Sequence, residues 1–175
     1  MPDTLDPIEE LMQEHRIIEI VLSAVETAAD RELPFDFYER AVDFFAEFAD
    51  GCHHAKEEDR FFPRLERCGI PRAGGPIGVM CDEHIMGRDL IAGMRKAIEA
   101  KDCDLLRRKS LAYADLLRQH ISKEDHVLFP MGRQLLNEEQ LAELTQEFRT
   151  VEHDTACHTK YAALAEQLLS EAQSA

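Results

Sequence analysis

One pattern occurs twice in this chain and constrains its fold more than any other feature. His53-His54-Ala55-Lys56-Glu57-Glu58-Asp59-Arg60-Phe61-Phe62-Pro63 and His120-Ile121-Ser122-Lys123-Glu124-Asp125-His126-Val127-Leu128-Phe129-Pro130 both read H-x-x-K-E-acid and close on Phe-Pro. Each copy sets a Glu four residues after a His. On a helix that spacing places both side chains on one face, a turn apart. An imidazole and a carboxylate so placed can ligate one metal ion, or an ion and its bridge to a second. The repeat extends upstream, with Glu14-His15 and Glu83-His84 standing 38 and 36 residues before His53 and His120. The chain therefore reads as two helical hairpins, each bringing a lone His and a His-x-x-x-Glu, which is how a dinuclear site is built inside a four-helix bundle.

Apolar periodicity supplies the helices. Helix one starts near Asp6-Pro7 with a stripe of Leu11, His15, Ile18, Leu22 and Val25. Helix two runs from about Asp36 past Phe62, carrying Val42, Phe45, Ala49, His53, Glu57 and Phe61, and Pro63 should kink it or end it within about a turn. A Gly/Pro-rich linker, Cys68 to Pro76, joins the halves. Helix three shows Met80, His84, Gly87, Ile91 and Met94, and helix four Tyr113, Leu116, His120, Glu124 and Val127. Asn137 with Gln140 forms a capping box that opens a fifth helix bearing His158. No strand pattern occurs. The expected class is all-α: a single domain over residues 1–175, comprising an up-down four-helix bundle (1–136) and one C-terminal helix packed on it (137–175).

The stripes also sort the histidines. His15, His53, His84, His120 and His158 lie on apolar faces, whereas His54, His126 and His153 share theirs with polar residues, and His54 and His126 should be dispensable despite lying inside the motifs. A buried carboxylate must be paired or metal-bound. The expected ligands are therefore His15, His53, Glu57, His84, His120 and Glu124, with His158 as a further candidate. Iron, zinc and manganese all fit these donors, but closely spaced thiolates, the usual mark of structural zinc, are absent.

A net charge of −15 with no basic cluster argues against nucleic-acid and acidic-membrane partners. Apolar runs are too short for a membrane span, and five cysteines without a C-x-x-C pair read as reduced thiols. A cytoplasmic location is expected.

With these residues in hand, the chain resembles the hemerythrin-like (HHE cation-binding) family. Glu14-His15, His53 to Glu58, Glu83-His84, His120 to Asp125 and both Phe-Pro closures match in order and spacing. The resemblance implies an up-down bundle around two iron ions (Fe2+/Fe3+), oxo- or hydroxo-bridged. Glu57 and Glu124 would bridge them, with His15 and His53 on one iron and His84 and His120 on the other. Oxygen-carrying members place a further His four residues after the helix-three His, where this chain has Arg88. That departure disfavours reversible oxygen carriage, and His158 is the expected replacement. The expected function is reaction of the reduced centre with a small oxidant (dioxygen, hydrogen peroxide or nitric oxide), re-reduced by a separate electron donor. Its enzymatic form would be peroxide decomposition or another oxidoreductase activity. The alternatives are iron or oxygen sensing, or iron-centre repair, through a partner protein, or a structural bundle whose metal only holds the helices together.

Overall fold

In a computed structural model of the protein, residues 6–151 and 157–175 are described. Helix α1 (Pro7–Arg31) begins where the Asp6 carboxylate accepts the Ile8 and Glu9 N–H groups, with Pro7 at the first position, and ends at Glu32 in a left-handed conformation. A second rod is continuous through four stretches: α2 (Phe35–Phe44), the π-helical π1 (Phe45–His54) and π2 (Glu57–Phe61), and α3 (Phe62–Arg67). After the linker comes α4 (Pro76–Ala100). The fourth rod comprises α5 (Cys103–Lys123), π3 (Glu124–Leu128) and α6 (Phe129–Leu135). The described chain closes with α7 (Glu138–Val151) and α8 (Cys157–Ser174). Asn137 and Gln140 cap α7 reciprocally, as their spacing predicts. All regular structure among the described residues is helical, and none of these helices is long and apolar enough to cross a membrane.

The π turns before each Phe-Pro have a local cause. Proline has no N–H and cannot extend an α ladder. The Phe62 and Phe129 N–H groups instead reach the Glu57 and Glu124 carbonyls, five residues back. The widened turn absorbs the defect, and the rods end about one turn later, at Arg67 and Leu135.

Consecutive rods run antiparallel. His53 and Lys56 meet Glu14 and Glu10; His84, Arg88 and Arg95 meet Glu58, Asp50 and Asp43; Ser110 and His120 meet Met94 and Glu83. The fourth rod returns to α1 through Arg107 on Ala29 and Asp125 on His15. Over 137–175, where one further helix is expected, two helical stretches are described; residues 152–156, and hence His153, lie outside the described residues. They follow α1 in its own direction: Leu144 and Phe148 of α7 pack near Ile8 and Leu11, and α8 runs from His158 on Glu14 to Ala172 at Arg31.

Two apolar cores result. One holds Ile18, Leu22, Phe44, Phe48, Met94, Leu117 and Leu168, and the other Leu11, Phe61, Phe62, Met80, Leu128, Phe129 and Phe148. Between them in sequence along every rod lie the buried polar residues Glu14, His15, His53, His54, Lys56, Glu57, His84, His120 and Glu124. Burying this many polar groups requires partners.

Candidate metal centre

Two groups of buried side chains could each hold a metal ion: His15, His53, Glu57 and Glu124, and His54, Glu57, His84 and His120. Glu57 belongs to both. Its Oε1 lies 3.4 Å from His53 Nε2 and its Oε2 3.4 Å from His84 Nε2. Glu124 Oε2 lies 3.2 Å from both His15 Nε2 and His120 Nε2. The structure thus brings together all six of the core residues expected from sequence.

Behind each imidazole stands a carboxylate on the outer nitrogen. His15 Nδ1 donates to Asp125 (2.7 Å), His53 to Glu14 (2.8 Å), His84 to Glu58 (2.7 Å), His120 to Glu83 (3.0 Å) and His54 to Asp50 (3.3 Å). This fixes the tautomer, leaving each Nε2 a lone pair turned inward, as metal-ligating histidines require. The duplicated motif explains the pattern. Within a hairpin, the Glu preceding the lone His backs the His of the H-x-x-K-E, and the motif Lys holds that Glu (Lys56 on Glu14, Lys123 on Glu83). Between hairpins, the acid after the ligand Glu backs the other hairpin's lone His, and the Phe of Phe-Pro stacks on that same ring. Phe62 lies 6.0 Å from His84 and Phe129 5.3 Å from His15, both nearly parallel.

The inward atoms provide a test of fit. His15, His53 and His54 Nε2 and all four oxygens of Glu57 and Glu124 are buried with no hydrogen-bond partner. His84 Nε2 faces His120 Nε2 at 3.1 Å. Orphaned acceptors of this kind are costly unless a cation completes them, and imidazole with carboxylate suits a first-row transition ion. The residues fit a metal pair.

The electrostatics show where protons compete with a cation for these inward atoms. Burial, and then the neighbouring Glu124 charge, push Glu57 well above the carboxylate range. Burial would raise Glu124 too, but His120 and His15 outweigh it and hold that carboxyl well below. Burial likewise opposes charge on His15 and His120, yet Asp125 and Glu124 lift the first, and Glu124 and Glu83 hold the second at about 9. Burial dominates His53, pulled down to about 4, and also lowers His54 and His84.

Two expectations need correction. His54, assigned to a solvated face, is only 3% exposed and completes the group with His84 and His120. The cause is π1. Its i→i+5 pairing, seen in Ala55 N–H on the Asp50 carbonyl, fits an extra residue into the turn and brings both members of the His53-His54 pair inward. Gly51 permits this, since a Cβ there would sit 3.2 Å from the Ala46 carbonyl. The fourth rod has Arg118 at the matching place and stays α-helical through it, with Ile121 in place of His54. The acids Asp50 and Glu58, which made the face look solvated, are the groups holding His54 and His84, and Arg88 bridges both. The second rod thus brings a third imidazole, His54, to the group that holds His84 and His120.

The other correction concerns His158. Its Nε2 lies 2.6 Å from Glu14 Oε1, and with Glu14 and Cys52 it forms a third, less buried group of possible ligands, separate from the two that share Glu57. It supports the carboxylate that supports His53. His126 is exposed, its Nδ1 on the Ser122 carbonyl. Sequence reasoning missed the outer carboxylates, although Glu14 and Glu83 repeat before each lone His as faithfully as the ligands do.

A family model, the hemerythrin HHE cation-binding domain, matches residues 6–132. Among curated proteins, uncharacterised proteins of Mycobacterium bovis and Mycobacterium tuberculosis are each 26% identical over 156 residues. The match covers 83% of this chain and 60% of each of those proteins, so the chain spans well under two thirds of their length. No solved structure matches significantly. From the motif, the helical scaffold and this match together, the chain belongs to the hemerythrin HHE cation-binding family.

Proposed function

We propose that the chain is a di-iron protein of the four-helix hemerythrin type that reacts with a small oxidant, dioxygen or hydrogen peroxide first and nitric oxide second. The observation that carries this reading is the convergence of five inward Nε2 atoms on two buried carboxylates, each imidazole held from behind by its own acid. In this reading His15 and His53 hold one iron, and His54, His84 and His120 the other. Glu57, which belongs to both groups, and Glu124 would supply the carboxylates. Reduced iron supplies the electrons that a small oxidant accepts.

The chain's own residues do the rest. The outer carboxylates keep the rings from turning, and Phe62, Phe129 and the two flanking cores exclude bulk water. The His15 and His53 half has fewer nitrogen donors and is the natural place for a small ligand. That half is also covered by α7 and α8, which favours slow redox chemistry over rapid reversible carriage. Cys68, Cys81 and Cys103 are free thiols, in keeping with a cytoplasmic protein.

The test is to load the protein with ferrous iron and count metal. The anaerobic protein is then mixed in stopped flow with dioxygen, peroxide and nitric oxide in turn. Two irons per chain and a near-ultraviolet band that bleaches on reduction and returns with an oxidant are expected. One ion or fewer, or a reduced spectrum indifferent to all three oxidants, would overturn the reading.

A further inference from the structure

The two hairpins correspond residue by residue near the centre: His84 follows His15 by 69 positions, and His120 follows His53 by 67. On the first hairpin, the groove between α1 and the second rod is filled by α8. Tyr161 packs on Phe44 and Phe48 at 5.7 and 5.2 Å and donates to Glu47, while Ala165, Leu168 and Ala172 are buried and His158 reaches Glu14.

The corresponding groove on the second hairpin, between α4 and α5, is open. It forms a cavity of about 440 Å³ lined by Glu83, Met86, Asp89, Leu90, Asp115 and Leu116 among others. Glu83, Met86, Asp89 and Leu90 are the counterparts of Glu14, Ile17, Ile20 and Val21. Met86 is 53% exposed where its counterpart Ile17 is half-buried, and Leu90 is half-buried where its counterpart Val21 is fully buried. The floor stays apolar at Leu90 and Leu116, but Asp89 and Asp115 bring carboxylates where the first hairpin has Ile20 and Phe48. Among the described residues no cationic side chain pairs with either aspartate.

We propose that the α4–α5 groove binds a cationic amphipathic helix of another protein, in the position that α8 takes on the first hairpin. Leu90, Leu116 and Met86 offer a strip for an apolar helix face, and Asp89 and Asp115 select lysine or arginine along its edge. A second copy of this chain fits poorly. Its own α8 carries Lys160 against Glu166 and Glu171, and each chain has a net charge of −15. The occupant would cover Lys123 as Phe148 and α8 cover Lys56. It would also sit against Glu83, which holds Nδ1 of His120, so the partner lies one hydrogen bond from the centre.

The test uses the full chain and three synthetic 18-residue peptides. The first keeps the α8 residues Tyr161, Ala165, Leu168 and Ala172 but carries lysine for Glu166 and Glu171; the others are the unchanged α8 sequence and a scramble of the lysine peptide. Fluorescence anisotropy should give the lysine peptide an affinity about ten-fold or more above both controls, and hydrogen exchange should show protection confined to α4 and α5. The exposed double substitution Asp89→Lys with Asp115→Lys should remove that preference while leaving the melting temperature unchanged. Equal binding of the scramble, protection over the α8 seat, or undiminished binding by the double variant would each overturn the proposal. So would sedimentation showing a dimer of this chain that Met86→Glu dissociates, which would make the occupant a second copy.

Discussion

The His15/His53 half of the centre and the His84/His120 half carry the same motif in different surroundings. Lys56 and Glu14 have fully buried side chains, whereas their counterparts Lys123 and Glu83 are 41% and 14% exposed. The difference comes from α7 and α8. Phe148 lies 5.5 Å from the Lys56 ammonium and His158 caps Glu14, so this ion pair is desolvated and shared with Glu10. Burial opposes the Lys56 charge, but Glu14 and Glu10 raise it well above the ordinary lysine range. Among the described residues nothing comparable covers Lys123. The second contrast runs the other way: π1 gives the more open half a third imidazole, His54, where the covered half has two. One half is insulated and the other richer in donors, so the same residue type has different weight in each.

This contrast can be broken at its shared point first. Glu57 serves both groups, so Glu57→Ala should reduce bound metal from two ions to near none by elemental analysis. An unchanged count would remove Glu57 from the centre.

Next, His54→Ala should cost the ion on the His84 side and leave about one per chain, while Ile121→Ala, its counterpart, should leave both. Loss of the whole metal load with His54→Ala would mean that the halves do not fill independently.

The lysines sharpen the comparison in stability. Lys56→Met strands the buried Glu14 charge and should cost about 3–5 kcal/mol in urea unfolding. Lys123→Met removes a solvent-screened partner and should cost about 1 kcal/mol or less. Similar costs would show that α7 and α8 do not insulate the first half in solution.

A smaller effect is expected from pH on the metal-free protein. His53 at about 4, with His54 and His84 also lowered, binds protons more weakly folded than unfolded. Stability should therefore fall as pH drops from about 6.5 toward 4. His120, raised to about 9, acts oppositely: its contribution is full below about 6.5 and lost as pH rises through 9. Unfolding midpoints across this range should form a dome that metal loading flattens; a flat metal-free profile would contradict the burial of these rings. The smallest effect belongs to His126→Ala, exposed in the open half, which should leave metal content and melting temperature unchanged.

Much of the centre was legible because helical spacing is a local property. A His four residues before a Glu shares its face whatever the rest of the chain does, and the duplication fixed which copies belong together. The cap at Asp6, the capping box at Asn137 and the break at each Phe-Pro follow from side-chain chemistry within one turn. His54 was illegible for the same reason: a face assignment assumes 3.6 residues per turn, and π1 does not keep that period. The acids Asp50 and Glu58 then reinforced the wrong reading, since a carboxylate backing an imidazole and one facing water look alike in sequence.

The sequence alone determined an all-helical chain of two hairpins with His15, His53, Glu57, His84, His120 and Glu124 on inward faces, since each of these follows from periodicity within a helix. Only the tertiary structure decided how the hairpins serve each other: that Asp125 holds His15 and Glu58 holds His84, that His158 stops at Glu14, and that α8 fills one of two related grooves. Those contacts join residues up to 144 positions apart, His158 to Glu14 being the farthest of them. No local period encodes such separations; they are settled by which surfaces bury together.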